Sequence, residues 1–142
     1  MALRLDEALA FVARHRQGVL VTLRADGRPQ LSNILYVPGD GGTARISVTD
    51  SRAKTANLRR DPRASLHVTT PDFWSYAVLD GTVALSSVAA ATDDDVVDEL
   101  VDMYRSARGE HDDWDEFRRA MVDQRRIVAT LTATHAYGML QA

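Results

Sequence analysis

Apolar and polar residues alternate along this chain with two different periods. From Leu5 to Arg16, the residues Leu5, Ala8, Leu9, Val12 and Ala13 recur three and four apart, which predicts an amphipathic helix ended by Gly18. The period then drops to two. Val19, Val21 and Leu23 share one face of a predicted strand Val19–Arg24, with Leu20 and Thr22 on the other. Ala25-Asp26-Gly27-Arg28 predicts a tight hairpin, because Asp-Gly suits the positive φ values of primed turns. Further strands are expected over Gln30–Val37 and Ala44–Thr49, separated by a turn at Pro38-Gly39-Asp40-Gly41-Gly42. A short helix over Arg52–Arg60 is stopped by Asp61-Pro62. A fourth strand, Ala64–Thr70, ends at Pro71, and a fifth, Trp74–Leu85, is long enough to bend or bulge at Asp80-Gly81.

The second half opens with helices. Thr92 before Asp93, Asp94 and Asp95 predicts a helix start, with the hydroxyl capping amides and the acids facing the positive dipole end. Val96, Val97, Leu100, Val101 and Tyr104 form its apolar face. Another helix is expected over Trp114–Asp123, with Phe117 and Met121 turned inward. A last strand follows over Arg126–Thr134, and His135-Ala136-Tyr137-Gly138 closes the domain. Six strands without a helix between every pair exclude a doubly wound parallel sheet. The expected fold is mainly β with peripheral helices, an antiparallel barrel forming a single domain over 1–142.

Composition narrows the chemistry. Zero cysteines exclude disulfides, thiolate metal sites and cysteine nucleophiles. There is no apolar run long enough to cross a membrane and no apolar leader after Met1-Ala2-Leu3-Arg4-Leu5-Asp6-Glu7, so cytoplasmic residence is expected, without a membrane partner. The four histidines fall on separate elements, and no His-Glu-x-x-His pattern is present, so no metal site is expected. Gly-x-Ser-x-Gly, Gly-x-Gly-x-x-Gly and P-loop patterns are absent too. His111-Asp112-Asp113 reads as a loop that caps the following helix.

Charge adds more. Residues 1–70 hold 11 Arg+Lys against 6 Asp+Glu, whereas residues 71–142 hold 6 against 14. The first half thus suits an anion pocket, and the narrow basic region argues against a nucleic-acid partner. Lys54 is the only lysine in the chain. It lies in Asp50-Ser51-Arg52-Ala53-Lys54-Thr55-Ala56-Asn57-Leu58-Arg59-Arg60, where Arg52 and Lys54 enter a helix two residues apart and can converge on one phosphate. Asn57, one turn on, can brace the loop. Gln30, Ser32 and Asn33 are polar positions in an otherwise apolar strand, and Trp74 and Tyr76 are aromatics able to cover a planar ring.

Three stretches together resemble a known family. They are Gly18–Leu23 with Asp26–Asn33, then Arg52–Ser65, then Trp74–Val78 with Asp80-Gly81; Gly109-Glu110-His111 before Trp114 extends the likeness. The chain resembles the FMN-binding split β-barrel superfamily, of pyridoxamine-phosphate-oxidase-like fold, and more closely its actinobacterial branch that uses the deazaflavin coenzyme F420. The resemblance implies a six-stranded antiparallel split barrel, a homodimer, and two cofactor sites at the dimer interface. It implies that Arg52 and Lys54 hold the cofactor phosphate and that Asn57 supports their loop. Gln30, Ser32, Asn33 and Ser47 would meet the ring and ribityl chain, and Trp74 and Tyr76 would come from the partner subunit. The implied activity is an F420-dependent reductase acting on a small planar substrate. An FMN-dependent oxidoreductase and a non-catalytic flavin, deazaflavin or tetrapyrrole carrier are the alternatives. No proton donor is implied; Tyr36, Tyr76 and His135 are the candidates. Arg24, Arg28, Arg59, Arg60 and Arg63 would meet the anionic tail of F420.

Overall fold

The computed structural model describes residues 2–141. Helix α1 (Leu5–Ala13) leads into strands β1 (Gln17–Leu23), β2 (Pro29–Leu35), β3 (Val37–Pro38) and β4 (Thr43–Thr49). Helix α2 (Ala53–Arg60) precedes β5 (Arg63–Thr69) and β6 (Tyr76–Leu85); α3 (Asp95–Arg108), α4 (Trp114–Asp123) and β7 (Arg126–Met139) complete the order. All strand pairs are antiparallel, and the sheet runs β2-β1-β5-β6-β7-β4-β3, curled into a half-barrel.

The sheet has seven strands rather than the expected six, because the expected strand Gln30–Val37 breaks at Tyr36. The Tyr36 ring turns into the core, its hydroxyl donates to the Val12 carbonyl at 2.7 Å, and its amide donates to Arg16 O at 2.9 Å. The chain thereby leaves β1 and joins β4. Gly18 does not end α1, as its spacing suggested. It lies inside β1, where a Cβ would meet the His67 carbonyl at 2.8 Å and Leu66 Cδ1 at 2.9 Å. α1 itself stops earlier, at Ala13.

The other boundaries shift for local reasons. β6 begins at Tyr76, not Trp74. The Asp72 carboxylate accepts from the Trp74 amide at 3.1 Å and from the Thr70 hydroxyl at 2.6 Å, folding residues 70–75 into a closed turn. The cap of α3 is Asp94 rather than Thr92: one carboxylate oxygen accepts from Val97 N at 2.8 Å, the other from the Ala90 and Ala91 amides. The irregularity expected at Asp80-Gly81 is present, with the extra residue, Thr134, on the partner strand: Asp80 faces His135 and Gly81 faces Ala133. β7 therefore continues to Met139 instead of ending at Thr134, and its second half pairs with the first half of β6.

Two cores result. The inner one fills the half-barrel with Leu20, Tyr36, Ile46, Val48, Leu66, Val68, Leu79, Ile127 and Leu131, closed by Ala8, Phe11 and Val12 of α1. The outer one lies under α3 and α4, where Val97, Leu100, Val101 and Met103 pack on Val37 and Val128 with Trp114, Phe117 and Met121. Each fully buried Leu or Ile contributes about 1.5–3 kcal/mol. Among the described residues no helix core covers the outer face of β2, β1, β5 and β6; Leu31 and Leu35 of β2, Tyr137 and Met139 of β7, and Phe73 and Trp74 of the β5–β6 turn are large apolar residues left exposed.

Candidate cofactor site

β4 ends at Thr49, and the chain turns directly into α2. Arg52 N donates to Thr49 O at 3.2 Å and the Thr55 hydroxyl donates to the same carbonyl at 2.7 Å, so the helix start is tied to the strand end. The amides of Ala53 and Lys54, at the positive end of α2, have no backbone acceptor among the described residues. The helix is seated by Asn57. Its buried amide group donates to Thr22 Oγ1 at 3.1 Å and Gln30 Oε1 at 2.9 Å, and its oxygen accepts from Arg60 at 3.0 Å.

A residue that local sequence reading missed completes the cluster. β7 pairs with β4 so that Arg126 lies opposite Thr49, and the Arg126 guanidinium reaches the Ser47 hydroxyl at 3.4 Å. Burial, then the Arg52 and Arg126 charges, hold the Lys54 ammonium below its ordinary value. Burial and Arg52 push Arg126 in the same direction. Among the described residues no carboxylate lies within ion-pair distance of Arg52, Lys54 or Arg126. Three adjacent cations, two of them partly buried and all uncompensated, are costly unless an anion joins them.

Lys54, Ser47 and Arg126 line an open groove of about 1340 Å³. Asn33, Val19, Leu35, His67 and Phe73 line it from the strands and the β5–β6 turn, and Leu100, Met103, Tyr104, Phe117 and Met121 from α3 and α4. This space exceeds the ~300–1,000 Å³ of an ordinary small-molecule pocket. The predicted site residues therefore divide. Lys54, Ser47 and Asn33 line the groove, and Arg52 stands at its cationic end. Gln30 and Ser32 lie on the opposite face of β2 from Asn33, across from Thr22 and Leu20, so the three polar positions do not meet one ligand face. Gln30 and Asn57 are bonded to each other. Tyr76 stacks on His67 on the outer sheet face with ring centroids 5.6 Å apart, and Trp74 is 68% exposed; neither lines the groove of its own chain.

The Tyr36 hydroxyl is spent on Val12, and burial pushes its pKa up. His135 sits 3.2 Å from Asp80, outside the groove. Of the arginines expected to meet an anionic tail, Arg59 pairs with Asp50 at 2.6 Å, Arg63 with Asp61 at 2.8 Å and Arg24 with Asp26 at 3.9 Å, while Arg60 donates to Leu23 O. Among the described residues no group of three metal-ligating side chains occurs, and no helix is long and apolar enough to cross a membrane. His111 belongs to an aromatic cluster with Tyr104, Trp114 and Phe117, and Asp113 caps α4.

Solved structures share this fold. An F420 reductase is 22% identical with a TM-score of 0.68, over 89% of this chain and 93% of that one. A conserved hypothetical protein from Mycobacterium tuberculosis is 22% identical with a TM-score of 0.73, over 94% and 82%. The haem storage protein HutZ from Vibrio cholerae is 15% identical with a TM-score of 0.67, over 95% and 94%. Such structures include oxidoreductases and haem-binding proteins alike. The sequence pattern of the pyridoxamine 5'-phosphate oxidase family extends over residues 5–139, and the chain accordingly belongs to that family, within the FMN-binding split β-barrel superfamily.

Proposed function

We propose that this protein is an F420-dependent reductase working as a homodimer. The observation that supports it most is the uncompensated cluster of Arg52, Lys54 and Arg126 at one end of a groove large enough for a cofactor and a second small molecule. The residues present fit the phosphate of F420 or FMN. Arg52 offers a planar fork, Lys54 a point charge, Arg126 a second fork braced by Ser47, and α2 its open amides. When bound, the reduced deazaflavin supplies a hydride for an electron-poor double bond of a planar substrate.

The chain's own residues position and shield. Asn57 and Gln30 lock α2 against β1 and β2, fixing where the phosphate sits. Asn33 and Ser47 offer polar contacts along the groove, and α3 and α4 give it a largely apolar wall of Leu100, Met103, Phe117 and Met121. The exposed apolar sheet face, with Leu31, Leu35, Tyr137 and Met139, suits a second copy, which would bring Trp74 and Tyr76 toward the neighbouring site. The likeness to an F420 reductase of the same fold supports F420 ahead of FMN.

Fluorescence titration of the purified chain with F420, and with FMN in parallel, tests this reading. Micromolar or tighter F420 binding with weaker FMN binding is the expected result. Tight FMN binding with no F420 response moves the protein to a flavin-dependent reaction. Binding of neither, with tight haem binding, makes it a tetrapyrrole carrier.

A further inference from the structure

Phe73 combines two unfavourable features. Its φ of 75° lies in the left-handed region, where a bulky L-residue is strained. Its side chain is 77% exposed, the most exposed large apolar residue among those described. The turn imposes this conformation firmly. Phe73 N donates to Thr70 O at 2.9 Å, Thr70 N donates to Ser75 O at 2.9 Å, and Asp72 holds Thr70 and Trp74 on either side. A glycine would remove the strain and the exposed ring together.

Phe73 and its neighbour Trp74 face different surroundings. Trp74 does not line the groove. Phe73 does, with Val19, Leu35, His67, Thr69, Thr70 and Pro71, in the same cavity that holds Lys54 and Arg126. These walls are apolar or weakly polar and present no carboxylate. A phenyl ring carried on this hydrogen-bonded turn at the rim of such a groove suits stacking on a flat, uncharged ring.

We propose that Phe73 is a specificity-determining residue that stacks on the planar acceptor substrate, a role that rests on the reductase reading above. The hydrogen-bonded turn Thr70–Ser75 carries the ring to the groove rim. The anionic cofactor end of the groove and the substrate end are then separately addressable.

Full-length Phe73→Gly and Phe73→Leu variants test this, with 2-naphthol as a neutral planar probe followed by equilibrium dialysis. F420 and FMN titrations, thermal unfolding and sedimentation run alongside. The Phe73→Gly variant is expected to unfold at the same temperature or higher, keep its cofactor affinity, and bind 2-naphthol about five- to tenfold more weakly, the scale of one aromatic stack. The Phe73→Leu variant, apolar but not flat, is expected to fall between. Unchanged naphthol binding in Phe73→Gly overturns the proposal, as does absence of naphthol binding to the unaltered chain. Weakened naphthol binding accompanied by a smaller assembly also overturns it, assigning Phe73 to contact with a second copy. Failure of the unaltered chain to bind F420 or FMN ends the reductase reading and the substrate role with it, whereas unchanged naphthol binding in Phe73→Gly with cofactor binding intact ends the Phe73 role alone.

Discussion

Two arginine clusters lie side by side in this molecule and have opposite fates. Asp50 accepts from Arg59 at 2.6 Å and from Arg125 at 3.0 Å, closing an ion-paired group. Among the described residues, Arg52, Lys54 and Arg126 have no carboxylate within reach. Arg125 and Arg126 are sequence neighbours, and the positive φ of 52° at Arg125 helps to separate them: one side chain turns to Asp50, the other to Ser47. Positive charge is abundant in both places, so abundance does not mark the site. Missing compensation does. The paired cluster joins α2 to the start of β7; the unpaired one is where we propose the cofactor phosphate binds.

Removing a cation from each cluster should separate the two roles. Lys54→Ala is expected to weaken F420 or phosphate binding by about 1.5–3 kcal/mol, roughly 10- to 150-fold, without lowering the unfolding temperature. Unchanged affinity in a titration of that variant would remove the phosphate assignment. Arg126→Ala should cost somewhat less, about 1–2 kcal/mol of affinity, because Arg52 and Lys54 remain. Arg125→Ala, one position earlier, should leave the same titration unmoved.

A pH series sharpens the contrast. The folded pKa of Lys54 lies below its ordinary 10.5, so the unfolded chain holds that proton more tightly. Stability of the ligand-free protein should therefore rise as pH climbs through the lowered folded value toward 10.5. Phosphate should abolish the rise, since an adjacent anion lifts the pKa again. Urea midpoints against pH, compared with Lys54→Met, measure it; identical slopes with and without phosphate would contradict it. The smallest effect belongs to the paired cluster. The Asp50 carboxyl is pulled down first by Arg59 and then by Arg125, so its contribution is present above 3.8 and lost as pH falls through the lower folded value. Asp50→Asn should remove that acid-side component and little else, because the pairs are exposed.

Much of this architecture was legible in local patterns. Asp26-Gly27 marks the first hairpin, Asp61-Pro62 marks the end of α2, and Asp80-Gly81 marks the register shift. These signals work because each is a property of two or three adjacent backbones. Gly18 misled for the opposite reason: its need is close approach to His67 on β5, a contact far along the chain that reads locally like a helix cap. Arg52 and Lys54 were visible as a pair within one turn. Arg126 was not, since only the pairing of β4 with β7 brings it to them. Gln30 and Ser32 looked like ligand contacts because polarity in a strand is conspicuous. The structure turns them away from Asn33 and gives Gln30 to Asn57 instead.

The position of β7 has a consequence for how the chain acquires its shape. β7 lies between β6 and β4, and without it the sheet separates into β2-β1-β5-β6 and β4-β3. Its residues also enter both cores, Ile127 and Leu131 on one side and Val128 on the other. Of the described elements it is the last to leave the ribosome. Until it does, β6 and β4 each present an unsatisfied edge, and neither core can close. Folding must therefore wait on late, long-range pairing, which is slow, and a nascent chain stalled before Arg126 should depend on chaperones to stay apart from its neighbours.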